Sequence, residues 1–165
     1  MSSFIEVIAF NFETIDDFSN FQVLFPKFSE KLHIVSEYRT NELLFINFVV
    51  AETEFFRNGN KALEEFYNRN GKNGIIRHWY TNGQIESEET YVDGVKGGPG
   101  AICRPNGRIK STYSYRNNKL NGEMISYYNN GQNSVEGKYS NGRKVGLWTY
   151  YNLDGTIDHQ ERFEE

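Results

Sequence analysis

The sequence is poor in the residues that carry covalent or metal chemistry. Among 165 residues there is one cysteine, Cys103, and the three histidines, His33, His78 and His159, stand apart from it and from one another. A single thiol excludes an internal disulfide framework and agrees with a reducing compartment. The scattered histidines offer no metal-ligand spacing. Residues 94–100 are glycine-rich but lack the Lys-Ser/Thr and the helix that a phosphate loop needs. The expectation is therefore no metal, no cofactor and no enzymatic activity. Long hydrophobic runs are missing as well: the longest, residues 43–51, contains Asn47 and is far shorter than the roughly 20 residues of a membrane span. The start, Met-Ser-Ser-Phe-Ile-Glu, has no basic segment, and Glu6 interrupts its apolar run, which reads against a secretory signal and for the cytoplasm. A basic excess is the last absence. The net charge of −4 argues against nucleic acid and anionic membranes as partners and favours a basic ligand.

What the sequence has is a period. Asn58-Gly59, Asn82-Gly83, Asn106-Gly107, Asn130-Gly131 and Asp154-Gly155 follow one another at steps of 24 residues. Gly74, Gly98, Gly122 and Gly146 keep the same step, as do Tyr67, Tyr91, Tyr115, Tyr139 and Phe163. Self-similarity at this length means a stacked array in which each unit buries its apolar face against its neighbours. Aromatics make up 16% of the chain, 11 Tyr and 13 Phe among them, which suits half-buried pleated surfaces and so strands.

Residues 122–145 are the clearest unit. Asn130-Gly131 and Asn141-Gly142 reach positive φ readily and are read as two-residue hairpin loops. Strand-length segments separate them, so successive hairpins run into one another as an antiparallel meander. Each repeat should widen the sheet by roughly 10 Å, and five repeats by roughly 50 Å. Strands are expected near 74–80, 84–91, 122–129, 132–139 and 147–152, with helix confined to the residues before about Val50. Alternation assigns the columns Trp79, Cys103, Tyr127, Tyr151 and Ile76, Gly100, Met124, Trp148 to one face or the other. Like residues on successive hairpins are expected to touch along the array, which is a structural role; contact with a ligand is the alternative.

The glycine column from Gly74 to Gly146 marks a bulge, a positive-φ position, or an aromatic lying across bare backbone. The copy starting at Gly98 departs from the pattern, because Pro99 cannot donate to a ladder, Gly100 replaces a large residue, and Cys103 and Arg104 replace an aromatic pair. It reads as a bend, a gap for a partner, or a degraded copy. The copy at 50–73 has Leu63-Glu64-Glu65 in its second strand and no initial glycine. Residues 1–49 read as an N-terminal cap: a strand over 4–12, a short helix from Thr14 to about Phe25 stopped by Pro26, and a degenerate hairpin from about Leu32. A separate partner-binding module is the other reading of residues 1–31. His78 and Cys103 lie one column apart and should face opposite sides, which speaks against a catalytic pair. Glu86 and Glu88 fall on one strand face, an arrangement open to acid–base or cation chemistry but more simply a solvated face.

The segments GLWTYYNLDG (146–155) and KYSNGRKVG (138–146) resemble the MORN-repeat variant, whose usual form is G-x-W-x-x-Y-x-x-N-G followed by Y-x-x-G-K-x-x-G. The resemblance covers about residues 50–165 and implies consecutive hairpins in an elongated, curved single sheet. Many such proteins are described as YwqK-type antitoxins, and large DNA viruses also carry such arrays. The family has no catalytic residues to carry over. The expected architecture is all-β, an elongated MORN-like array of antiparallel hairpins over residues 50–165 with a small α/β cap over 1–49. The expected function is protein binding without catalysis, as an antitoxin or immunity protein against a partner such as a basic toxin; the alternative is a structural or scaffolding role in a larger assembly. The docking residues expected are Trp79, Tyr127 and Tyr151 with Glu86 and Glu88, since aromatics give large contact area at low entropy cost.

Overall fold

The computed structural model describes residues 2–9, 49–68 and 70–164, and every regular element among them is a β-strand. In chain order these are β1 (Ser2–Ala9), β2 (Val49–Phe55), β3 (Lys61–Asn68), β4 (Gly71–Lys72), β5 (Gly74–Trp79), β6 (Ile85–Val92), β7 (Val95–Cys103), β8 (Ile109–Arg116), β9 (Lys119–Leu120), β10 (Gly122–Tyr127), β11 (Asn133–Ser140), β12 (Arg143–Tyr151) and β13 (Ile157–Phe163). They form one open antiparallel sheet in the order β1-β2-β3-β5-β6-β7-β8-β10-β11-β12-β13, with β4 paired to β3 and β9 to β8. The expected strands are present with small shifts, and β12 starts earlier than expected, at Arg143. The strand expected over 4–12 is β1, which pairs with β2 from Ser2↔Phe55 to Ala9↔Val49. The helix expected from Thr14 and the hairpin expected from Leu32 lie outside the described residues.

The two edges of the sheet turn differently. At one, Asp93-Gly94, Asn117-Asn118 and Asn141-Gly142 have positive φ at both residues, the two-residue hairpin loop that matches strand twist. At the other, the expectation of two-residue loops needs correction. Gly131 N–H donates to Tyr128 O (3.0 Å) and Tyr128 N–H to Gln132 O (2.8 Å), and the same pair of bonds closes the turns at Gly59, Gly83, Gly107 and Gly155. Only the glycine of each has positive φ. This is a three-residue loop, a β-turn followed by one left-handed glycine. Its asparagine stays right-handed because its side chain bonds within the turn. Asn130 Oδ1 accepts from Gln132 N–H, as Asn58, Asn82 and Asn106 accept from Asn60, Gln84 and Arg108.

The glycine column has a similar origin. Between β11 and β12 the register passes from Glu136↔Thr149 to Lys138↔Val145, so β12 carries two extra residues there. Gly146 has φ +66 within that bulge, and β6–β7 repeats the step from Glu89↔Gly100 to Tyr91↔Lys96 around Gly98. Bulge and positive φ recur along this column, and at Gly74 the Phe66 ring also lies against the glycine. The closer aromatic contacts are at other glycines. A Cβ on Gly137 would overlap the Trp148 indole, and one on Gly100 would overlap the Tyr113 ring. The gap expected at Gly100 is thus closed from within, since Tyr113 sits directly across from it.

Pairing defines the two faces, because directly opposed residues point the same way. One face holds the Gly74–Tyr91, Gly98–Tyr115, Gly122–Tyr139 and Gly146–Phe163 pairs. It is the packed face: Trp148 and Ile76 are 1% and 2% exposed. Trp148 meets Tyr139 and Phe163 edge to face at 5.1 and 6.3 Å, and Lys144 lies 4.2 Å over its ring. Lys96 sits between Tyr91 and Tyr115 and pairs with Glu89 at 2.6 Å. We call it the glycine–tyrosine face. Burial, and then the charge of Glu89, push the Tyr113 hydroxyl up to about 12.

Three outcomes test this packing. Gly131 has open space around it and φ +93, so Gly131→Val should lower stability through backbone strain alone, by about 1–3 kcal/mol; an unchanged denaturant midpoint contradicts the turn assignment. Gly137→Ala should cost about 1–3 kcal/mol by overpacking, and much less in a Trp148→Leu background; strictly additive costs in that double-mutant cycle would remove the indole as the cause. Tyr113 favours its neutral form when folded, so its contribution is complete below its ordinary pKa of about 10 and fades as pH rises toward 12. Tyr113→Phe should flatten the loss of stability across that window, measured by denaturant midpoints.

Candidate functional site

The opposite face is built around a central row that crosses the sheet by direct pairing: Thr53, Glu64, Arg77, Glu88, Ala101, Thr112, Ile125, Glu136, Thr149 and Gln160. Its first half is ionic. Arg77 Nε donates to Glu88 Oε1 at 2.7 Å, its Nη1 lies 3.5 Å from Glu64 Oε2, and Lys61 pairs with Glu64. The bond to Glu88 leads the causes that raise the Arg77 pKa, so the guanidinium is held firmly charged. Each such half-exposed pair is worth at most about 1 kcal/mol; what the ladder fixes is the position of the side chains. We call this the ion-ladder face.

Trp79, Cys103, Tyr127 and Tyr151 end β5, β7, β10 and β12 just before the glycine turns. They pair with Ile85, Ile109, Asn133 and Ile157 and form a second row on the ion-ladder face. All four are half-buried. Lys61 Nζ lies 5.5 Å over the Trp79 ring, and Tyr151 Oη donates to Glu136. The structure therefore brings Trp79, Tyr127, Tyr151 and Glu88 to one face. Glu86 is exposed and is the extra residue of a bulge between Trp79↔Ile85 and His78↔Ser87, so it has no partner across the ladder. The pairing puts His78 with Ile102 through Ser87, one position from Cys103 and on the other face, as expected.

The expectation that like aromatics touch along the array is corrected for this row. Equivalent residues of successive repeats are separated by an intervening strand, about 10 Å in all. Stacking instead links neighbouring strands on the glycine–tyrosine face, as in Trp148 with Tyr139 and Phe163. The aromatic row is left with its flanks open.

Sequence reasoning missed the aliphatic part of this face. Ile75, Ile109, Leu147 and Ile157 are 42–56% exposed, and pairing places all four on the ion-ladder face. A signal was present, because Ile85, Ile109 and Ile157 each follow a turn glycine by two residues, at the repeat step. Also missed was a groove of about 650 Å³ lined by Glu123, Ile125, Glu136, Lys138, Val145 and Leu147, among others. It lies where the two-residue bulge of β12 draws Gly146 and Leu147 away from the regular ladder beside Gly137.

Charge is distributed unevenly along the chain. Residues 50–165 hold 15 acidic and 15 basic side chains, so the net −4 falls within residues 1–49. The hairpin array is itself neutral.

Residues 72–93 and 120–141 each match the family model described as the MORN repeat variant. No curated protein matches the chain. No helix among the described residues is long and apolar enough to cross a membrane. The matched stretches correspond to the β5–β6 and β10–β11 hairpins, each followed into its two-residue turn. Two of the hairpin units thus carry the MORN repeat variant pattern, and the units between and around them are paired in the same manner.

Proposed function

We propose that this chain is a non-enzymatic, cytoplasmic protein-binding module that docks its partner on the ion-ladder face, with an antitoxin- or immunity-like role in blocking that partner. The observation that carries this reading is the row of Trp79, Tyr127 and Tyr151, half-buried and repeated at regular spacing, on the same face as the exposed Ile75, Ile109, Leu147 and Ile157. Aromatics of this kind anchor interfaces, and an extended repeat surface lets one partner engage several anchors at once. Glu86, exposed at the edge of this row, favours a basic group on the partner opposite β6, with Glu88 held beside it by Arg77. The MORN repeat variant matches, which include Trp79, Glu88 and Tyr127, support a module of binding or scaffolding type. The scaffolding reading rests on the same surface: equivalent stations on successive hairpins suit a partner that is itself repetitive.

Capture of the partner from the native host, followed by titration of alanine variants shown to remain folded, tests the proposal. Trp79→Ala or Tyr151→Ala should weaken binding by about tenfold or more, with Glu88→Ala giving a smaller loss that shrinks further at high salt. Affinity unchanged by all of these, yet lost on deleting residues 1–31, would assign the site to the N-terminal segment and leave the array as its support.

A further inference from the structure

The cations of the array divide into two populations. In the first half Lys61, Lys72, Arg77 and Lys96 are each paired with a glutamate, Glu64, Glu65, Glu88 or Glu89. In the second half Arg108, Lys110, Arg116, Lys119, Lys138, Arg143 and Arg162 are exposed, and none takes part in an ion pair among the described residues. The cause is compositional, since glutamate at 64, 65, 88 and 89 has few counterparts after Glu123. Three of these seven border the groove. Lys138 lines it, Arg143 pairs with its lining residue Ser140, and Arg162 pairs with its lining residue Leu147. Lys119 lies beneath the Asn141-Gly142 turn, where Gly142 N–H donates to Leu120 O at 2.8 Å.

The lining itself carries two carboxylates, Glu123 and Glu136, against Lys138, so the positive excess comes from Arg143 and Arg162 at the rim and Lys119 beside the turn. Glu136 is engaged by Tyr151 Oη and by Asn133 Nδ2 at 3.0 Å. Glu123 stands directly opposite Lys138 on the same face. The floor is aliphatic, formed by Ile125, Val145 and Leu147, with Leu147 45% exposed. An apolar floor inside a rim of unpaired cations is complementary to a chain that carries apolar side chains and carboxylates together. Nucleic acid suits it less well, because single strands are held by aromatic stacking beside the cations, and no aromatic ring is among the residues lining the groove.

We infer that the groove between β10, β11 and β12 docks an acidic peptide segment of a partner protein. An apolar side chain of that segment rests on Ile125, Val145 and Leu147, and its carboxylates face Lys138, Arg143 and Arg162. The inference builds on the protein-binding reading above and gives its second half a partner chemistry opposite to that expected near Glu86 and Glu88.

The test is fluorescence anisotropy with the full chain and a short labelled peptide in which Glu alternates with Leu. Three further probes accompany it: a Glu–Ser peptide, a Lys–Leu peptide and a single-stranded oligonucleotide. The Glu–Leu peptide should bind in a salt-sensitive manner, and the other three should bind at least about tenfold more weakly. Combined Lys138→Glu and Arg143→Glu should reduce Glu–Leu binding by about tenfold or more, Leu147→Ser should reduce it at constant charge, and Lys110→Glu, outside the groove, should leave it within twofold. Absence of Glu–Leu binding, indifference to the charge reversal, or equal binding of the oligonucleotide or the Glu–Ser peptide overturns the inference. Sedimentation of the free chain covers the remaining occupant: a dimer dissociated by the charge reversal would make the groove a self-interface and overturn it too. Each of these failures leaves the loss of native-partner binding in Trp79→Ala untouched, since Trp79 does not line the groove whereas Tyr151 bonds its lining residue Glu136, so the two readings fall separately.

Discussion

Each of the first four glycine turns on one edge of the sheet is tied to the turn one repeat later, and the rest of the structure depends on that tie. Asn58 Nδ2 donates to Thr81 O at 2.7 Å, Asn82 Nδ2 to Pro105 O at 2.7 Å and Asn130 Nδ2 to Leu153 O at 3.2 Å, while at the Gly107 turn the Arg108 guanidinium donates to Asn129 O. Tyr80 Oη and Tyr128 Oη reach the carbonyls of Cys103 and Tyr151 in the same way. A strand pair alone can slip by a residue and turn its side chains to the wrong face. A side chain that accepts from its own turn is held in place to donate to the next, and a shift of one repeat against another breaks that second bond. The step of 24 residues is thus a hydrogen-bonding constraint, and asparagine is the residue whose amide provides both halves of it.

With register fixed, the two faces take different roles. The glycine–tyrosine face supplies the packing, by placing a large residue opposite a small one: Tyr113 over Gly100, Trp148 over Gly137, Tyr139 opposite Gly122. With no second layer among the described residues, the sheet buries Trp148 to 1% exposure because its own backbone leaves room, which explains glycine where strand propensity alone disfavours it. The ion-ladder face is then free of that duty. Its aromatic row, exposed aliphatics and bulge-made groove are available to something outside the chain.

Much of this was legible in the sequence, for identifiable reasons. The period, the all-β class and the strand positions follow from Asn-Gly, glycine and tyrosine columns that keep one step. Placing Trp79, Tyr127 and Tyr151 with Glu88 followed from simple alternation. Alternation failed at Glu86, because a bulge residue is invisible to a period of two, and it failed to show that equivalent aromatics are two strands apart. The three-residue loops were misread because Asn-Gly serves both hairpin types, and only the bonds around Gly131 and Gly142 separate them. Arg104 had read as a loss, but its Nη2 donates to Tyr127 O at 2.7 Å and so replaces the tyrosine hydroxyl of other copies. The groove could not be read at all, since it arises from the offset between β11 and β12.

The most direct test of the account is deletion of one period, residues 98–121, followed by small-angle scattering and denaturant unfolding. If register is carried from turn to turn at the 24-residue step, Gly122 takes the place of Gly98, the chain folds cooperatively, and its longest dimension shortens by about 10 Å, the width of two strands. A chain that no longer folds, or one whose longest dimension is unchanged, would contradict a sheet assembled by nearest-neighbour ties.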